Sequence, residues 1–300
     1  MKNNVNISGN VSHQSFNQEI VGRNSAKKPR SFGWLLTLVV VVGSLLMLLP
    51  FIWTLLTSLK TPAEIQRIPL TFLPDNLFNF QNYINLFKRQ PFLLYIFNTF
   101  VVSGTSTLTS LIFSSMAGYG FAKFDFPLKE FWFFSTLVLL MIPFQAIVIP
   151  LYQWIVQFGL INTYIGLMLP QFVSAFGVFL MREAITGIPN DYIDSARIDG
   201  CSELGIFFRI ILPSIKPSLA ALAIIKFLWS WNEFYWPLVC TNTEQMKVVT
   251  LGLASFNTMN YIEYDMVTAG TMVSILPILI IFLAFQRWIV KGVVMSGIKG

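Results

Sequence analysis

One histidine, two cysteines and charged side chains at only 11% of 300 positions set the first limits on this chain. His13 lies in a polar N-terminal stretch, which excludes a histidine-built metal site and argues against a Ser-His-Asp triad or a histidine proton relay. Cys201 and Cys240 form no C-x-x-C pair, and the span pattern below puts them on opposite sides of a membrane, so no disulfide between them is expected. No G-x-x-x-x-G-K-[ST] loop or other Gly-rich phosphate cradle is present, so the chain does not bind ATP by that route. Soluble domains carry about 25% charge. The shortfall here, beside 55% hydrophobic residues and 29 Phe, defines an integral membrane protein.

The charges that do occur punctuate long runs without any: residues 31–59, 91–122 and 131–181. About 20 apolar residues cross a bilayer. The pattern predicts an all-α polytopic membrane protein with six transmembrane helices, at about 34–58, 94–122, 131–155, 163–181, 218–239 and 266–288. Residues 1–31 read as a polar tail, not a cleavable signal peptide, and 32–300 as one transmembrane domain with a short closing tail. Pro143, Pro150 and Pro170 are expected to kink the third and fourth spans, and the Ser, Thr, Gly and Ala content of the second suits close packing inside a bundle. A short amphipathic helix is expected near Asn79–Arg89, and Gln145, Asn98 and Gln171 are expected to make helix–helix hydrogen bonds. Six spans put both ends on one side. That side carries fourteen of the twenty Lys and Arg; the other carries Lys60, Arg67, Lys88, Arg89 and Lys247, and Lys226 lies within the fifth span. The positive-inside rule then places both termini in the cytoplasm. Topology accounts for the net +6, and no nucleic-acid partner is implied.

Residues 189–217 interrupt the apolar pattern on that cytoplasmic side. Asn190 is placed to cap one helix, with Asp191 and Asp194 in its first turn, and Gly200 to end it. Ser202 is placed to cap a second helix carrying Leu204, Phe207, Phe208 and Ile211 as one apolar stripe, which Pro213 and Pro217 then break. The segment from Asn190 to Pro217 has four acids against Arg197, Arg209 and Lys216. Helices that lie on lipid are usually basic on their polar face. A near-neutral hairpin with an apolar stripe suits a protein socket better.

"DSARIDGCSELGIFFRIILP" resembles the EAA loop of importer-type ABC transporter permeases. Asp194, Ser195 and Ala196 stand where the family has Glu-Ala-Ala, Asp199 and Gly200 match its Asp-Gly pair, and Pro213 matches its terminal proline. "FNFQNYINLF", "FNTFVVS", "AGYGFAKFDFP", "MIPFQAIVIPLY", "WSWNEFYWPLV" and the ending "SGIKG" resemble, in order, carbohydrate permeases of the maltose and glycerol-3-phosphate type. The resemblance implies a coupling helix between helices 4 and 5 that seats in a groove of a cytoplasmic ATPase. Asp194, Ala196, Arg197, Asp199, Gly200, Leu204, Phe207, Phe208 and Pro213 would serve it. It implies a second, homologous permease, two ATPase subunits, an extracytoplasmic binding protein, a carbohydrate substrate and a bacterial cytoplasmic membrane. No cofactor is expected on this chain, with ATP used by the ATPase partner and no bond chemistry here.

Lys226 lies about nine residues into its span, ~13 Å deep at ~1.5 Å per residue. It fits either a pathway cation that favours acidic sugars or phosphates, or a side chain that snorkels to the cytoplasmic face. Trp231, Asn232 and Glu233, set among aromatics, fit a sugar-facing surface or an interfacial aromatic belt. Gly252 and Leu253 in "VTLGLASFN" fit a contact with the binding protein or an ordinary half-buried loop. A secondary transporter working alone would need coupling acids at membrane depth, and the chain offers only Lys226 and Glu233 there. A membrane enzyme would need a nucleophile, base or metal cluster that the chain does not carry.

Overall fold

The computed structural model describes residues 30–257 and 261–297, with side chains from Trp34 to Asn257 and from Tyr261 to Ala284. The N-terminal tail expected at 1–31 lies almost wholly outside the described residues, as do residues 298–300. Residues up to Trp53 group into one unit and those from Thr54 into a second.

The first unit holds most of α1 (Arg30–Ser58), which is apolar on every side and contains Pro50. In the second unit the amphipathic α2 (Gln81–Arg89) precedes the long α3 (Phe92–Lys123). Then come α4 (Lys129–Val138), α5 (Phe144–Gln157), α6 (Tyr164–Met168) and α7 (Ala175–Thr186). The hairpin helices α8 (Asn190–Ile198) and α9 (Glu203–Ile206) follow. The second continues through a π turn at Phe207–Ile211 and a short turn at Leu212–Ser214. Last are α10 (Lys216–Trp231), α11 (Tyr235–Cys240), α12 (Val249–Ala254) and α13 (Tyr264–Gly297). Among the described residues there is no strand, only an isolated bridge between Asn257 and Ile262.

α3 is the hub. It packs most extensively against α7 and next against α10, and α10 packs against α13. Small residues permit this: Ser103, Ser106, Ser110, Ser114, Ser115 and Gly118 form its buried face. A Cβ at Gly118 would lie 2.7 Å from Met181 Cβ and 2.8 Å from the Arg182 nitrogen, and one at Gly177 would lie 2.5 Å from Ser114 Oγ. Larger residues at either point would separate α3 from α7.

Three described helices, Trp34–Ser58, Phe92–Lys123 and Tyr264–Ala284, are long and apolar enough to cross a membrane. Two bent pairs, Tyr164–Gln171 with Ala175–Thr186 at 48° and Glu203–Ser214 with Lys216–Trp231 at 81°, raise the number to five on length and composition. The spans expected at 131–155 and 218–239 are not continuous. The first breaks between α4 and α5 before Pro143, and the second at Asn232–Phe234 between α10 and α11. The closing tail is not separate either, because α13 runs on to Gly297. Asn98 ties α3 to an outer loop and to α6: its amide donates to the Gln245 and Lys247 carbonyls at 2.8 and 2.9 Å and its oxygen accepts from Tyr164 Oη at 2.6 Å. Gln171 reaches only the Leu167 carbonyl of its own turn, at 3.5 Å.

Candidate functional site

Two regions of the second unit concentrate polar side chains on purpose-shaped backbone. The first is the α8–α9 hairpin. Gly200 adopts φ +80, the left-handed region that favours glycine, and closes α8 with bonds from the Gly200 nitrogen to the Arg197 carbonyl and from the Cys201 nitrogen to the Ala196 carbonyl at 3.0 and 2.9 Å. Ser202 Oγ accepts from the Gly205 nitrogen at 3.2 Å and starts α9. Asn190 is not the cap of α8. Pro189 holds that position, and Asn190 Oδ1 instead accepts from Lys123 Nζ at 2.7 Å, which fastens the hairpin to the end of α3.

A carboxylate bracket joins the two arms to α3. Glu203 Oε1 accepts from Arg197 Nε at 2.7 Å, and Glu203 Oε2 accepts from Tyr119 Oη at 2.8 Å. Arg197 also donates to Asp194 Oδ1 at 3.2 Å. The Arg197 bond holds the Glu203 carboxyl below the usual carboxylate range, assisted by Tyr119 and opposed by partial burial. Beneath the bracket, Tyr119 packs on Phe124 and Phe207, with ring centroids 5.2 and 5.8 Å apart.

The expected stripe does not form one outward face. Phe207 and Ile211 are buried, with Ile206, in the cluster that includes Met181 and Leu222, while Leu204 and Phe208 point outward at 61% and 57% exposure. Four residues covering about 100° of helix arc straddle the packing edge, and the π turn through Phe207–Ile211 changes the register there. Ala196 is also buried, whereas Asp194, Arg197, Asp199, Gly200 and Pro213 are exposed. Ile198 at 86% and Tyr192 at 64% extend the outward apolar surface. Sequence reasoning missed these two because it sought a stripe on the second arm alone.

The second region is a cleft of about 320 Å³ where three helix breaks meet. Phe144 opens α5 after the α4–α5 break, Pro170 and Gln171 lie at the bend between α6 and α7, and Glu233 lies in the break after α10. Lys226 and Trp229 from α10 and Trp236 from α11 complete the lining. Lys226 is 8% exposed and lines this cleft together with Glu233. Glu233 Oε1 accepts from the Tyr235 and Trp236 nitrogens at 3.0 and 3.2 Å. Two of the expected pathway residues lie elsewhere. Trp231 is buried and stacks on Phe227 at 5.5 Å, and Asn232 bonds the Leu228 carbonyl of its own helix. Trp229 and Trp236, seven residues apart, line the cleft instead; tryptophans on either side of a helix break cannot be assigned to faces until the break is located.

Gly252 and Leu253 lie in α12, packed toward α3 and α13. Gly252 is buried, and a Cβ there would lie 2.4 Å from the Tyr95 ring; Leu253 is half-buried and packs on Gly270 and the cluster around Phe92. Glu244 bridges Tyr95 and Lys247 beside them, so this outer loop is pinned to α3.

The cleft at the helix breaks and the bracketed hairpin suit a membrane transport subunit. The chain belongs to the family of binding-protein-dependent transport system inner membrane components, whose model matches residues 110–295. It is 39% identical over 267 residues to the arabinooligosaccharides transport system permease protein AraQ of Bacillus subtilis (strain 168), covering 88% of this chain and 95% of that protein. It is 35% identical to the lactose transport system permease protein LacG of Rhizobium radiobacter, with 86% and 93% covered. The fold is similar to that of a bacterial ABC transporter involved in the import of the acidic polysaccharide alginate, at TM-score 0.74 and 22% identity over 87% of this chain and 98% of that one. The chain is therefore a permease subunit and not an enzyme.

Proposed function

We propose that this chain is one of two homologous permease subunits of an ATP-driven importer of a carbohydrate in a bacterial cytoplasmic membrane. Its spans are α1, α3, α4 with α5, α6 with α7, α10 with α11, and α13: six crossings of a single domain, with the tail at 1–31 and both termini cytoplasmic. The segment Glu203–Ser214 stays outside the membrane on this reading. It carries Glu203 and Arg209, its first residue belongs to an ion-paired bracket, and it meets α10 at 81°. The hairpin seats in one of two cytoplasmic ATPase subunits through Tyr192, Ile198, Leu204 and Phe208, and Asp194, Arg197, Asp199 and Gly200 set its orientation. Phe207 and Ile211 act from within by fixing the hairpin to α3 and α7. An extracytoplasmic binding protein delivers the sugar, and the cleft around Lys226 and Glu233 lies on its path. Sugar transport is supported by the relatives' names, and binding-protein delivery by the family.

The observation that carries this reading is the hairpin itself: Glu203 held by Arg197 and by Tyr119 of the central helix, with Tyr192, Ile198, Leu204 and Phe208 exposed beside Asp194 and Asp199. Reconstitution with partner permease, ATPase and binding protein tests it. ATP-dependent sugar uptake that needs all four components is the expected result. Uptake by this chain alone, driven by an ion gradient, would replace it with a secondary transporter.

A further inference from the structure

We infer that the cleft at the helix breaks takes an uncharged sugar unit and disfavours uronic acids and sugar phosphates. The inference rests on the carbohydrate reading above and narrows it to a substrate class. Lys226 is the polar group that calls for a ligand. It is 8% exposed, and among the described residues it has no hydrogen bond or ion pair. An ammonium offers three donors and no acceptor, and burying it without partners is costly. Viewed alone, a lysine that lines the path would favour an anion. The cleft, however, also contains Glu233, the acid whose charge acts on Lys226. Glu233 Oε1 is occupied by the two backbone N–H groups of the α11 turn, and Oε2 has no hydrogen-bond partner among the described residues. Gln171, committed only through its amide at 3.5 Å, adds an acceptor oxygen.

The lining thus presents one cation and one anion, with donors on Lys226 and acceptors on Glu233 and Gln171. Sugar hydroxyls both donate and accept, so a neutral ring satisfies both ends at once. A carboxylate or phosphate satisfies Lys226 but brings like charge toward Glu233. The half-exposed Trp229 indole offers a face for a sugar ring. About 320 Å³ lies at the low end of small-molecule sites, ~300–1,000 Å³, and matches a short sugar rather than a long chain.

The test is uptake by proteoliposomes that contain the complete transporter. Arabinobiose, lactose and maltose serve as neutral probes; digalacturonate and glycerol 3-phosphate serve as anionic ones. At least one neutral probe is expected to exceed both anionic probes. Lys226→Met is expected to lower neutral uptake about tenfold, the loss of a charged hydrogen bond, and Lys226→Gln to recover part of it. Glu233→Gln, which leaves a lone cation, is expected to shift the ratio of anionic to neutral uptake upward at least about fivefold. Preference for an anionic probe in the unaltered complex, no neutral uptake by a complex that hydrolyses ATP, or an unchanged ratio in Glu233→Gln each overturns the inference. Failure of the chain to assemble with the ATPase is a different result, measured on the same preparation, and sinks the transport reading instead.

Discussion

The hairpin and the cleft treat charge in opposite ways. In the hairpin both carboxylate oxygens of Glu203 are occupied, Arg197 bridges two acids, and Tyr192, Ile198, Leu204 and Phe208 stand exposed beside Asp194 and Asp199. In the cleft Lys226 is buried without a partner and what surrounds it is aromatic and polar. A surface meant for a permanent protein partner satisfies its own polar groups and offers area. A site meant for a ligand that comes and goes leaves polar groups for the ligand to satisfy. On the proposed reading, the contrast separates a docking face from a passage within a single chain.

Substitutions sharpen that contrast in graded steps. The largest effect is expected on the inward side of the hairpin. Ile211→Ala removes a fully buried side chain and should cost about 2–5 kcal/mol, read as loss of folded, inserted protein in detergent. Gly200→Val comes next. Open space surrounds its Cβ position, so the cost is the left-handed backbone alone, of order 1–2 kcal/mol. Transport should fall while the spans stay inserted, and Gly200→Asn, which tolerates that conformation, should recover most of it. Equal loss in both variants would mean that the glycine serves contact rather than turn geometry. Tyr119→Phe keeps the ring stack on Phe207 and removes only the bond to Glu203. A few-fold fall in sugar moved per ATP, with ATPase binding intact, is expected; an unchanged ratio would remove Tyr119 from the coupling path.

The smallest effect concerns pH. Glu203 has its folded pKa below its unfolded value, chiefly through Arg197. Its contribution is therefore complete above the ordinary glutamate pKa of about 4.3 and fades as pH falls through the lower folded value. The difference in thermal stability between wild type and Glu203→Gln should be constant from about pH 8 to 5 and vanish in stronger acid. A difference that disappears near neutrality would mean the bracket is not what holds the arms.

Much of this was legible in the sequence because membrane constraints are strong. Charge-free runs located α1, α3 and α13, the Gly200 and Ser202 punctuation located the hairpin turn, and Lys226 stood out as a cation in apolar surroundings. What stayed hidden depends on contacts between distant segments. Glu203 became a bracket only when Tyr119, 84 residues away, came within 2.8 Å. Gly252 fitted either a partner contact or a half-buried loop, and only the Tyr95 ring packed over it shows the buried side. The break after α4 falls in a continuous apolar run, where hydropathy keeps its value while the helix stops, and the break after α10 at Asn232–Phe234 lies among aromatics that suit a span end equally well.

The account turns on the outward face of the hairpin being a socket contact. Its most direct test is affinity capture of the ATPase by the purified permease pair carrying Leu204→Glu with Phe208→Glu. Both side chains are more than half exposed, so folding is expected to be unaffected and capture to drop at least ~100-fold, the scale of a two-residue hot spot. Wild-type capture of the ATPase by that double variant, with the pair folded and inserted, would contradict the assignment of this face.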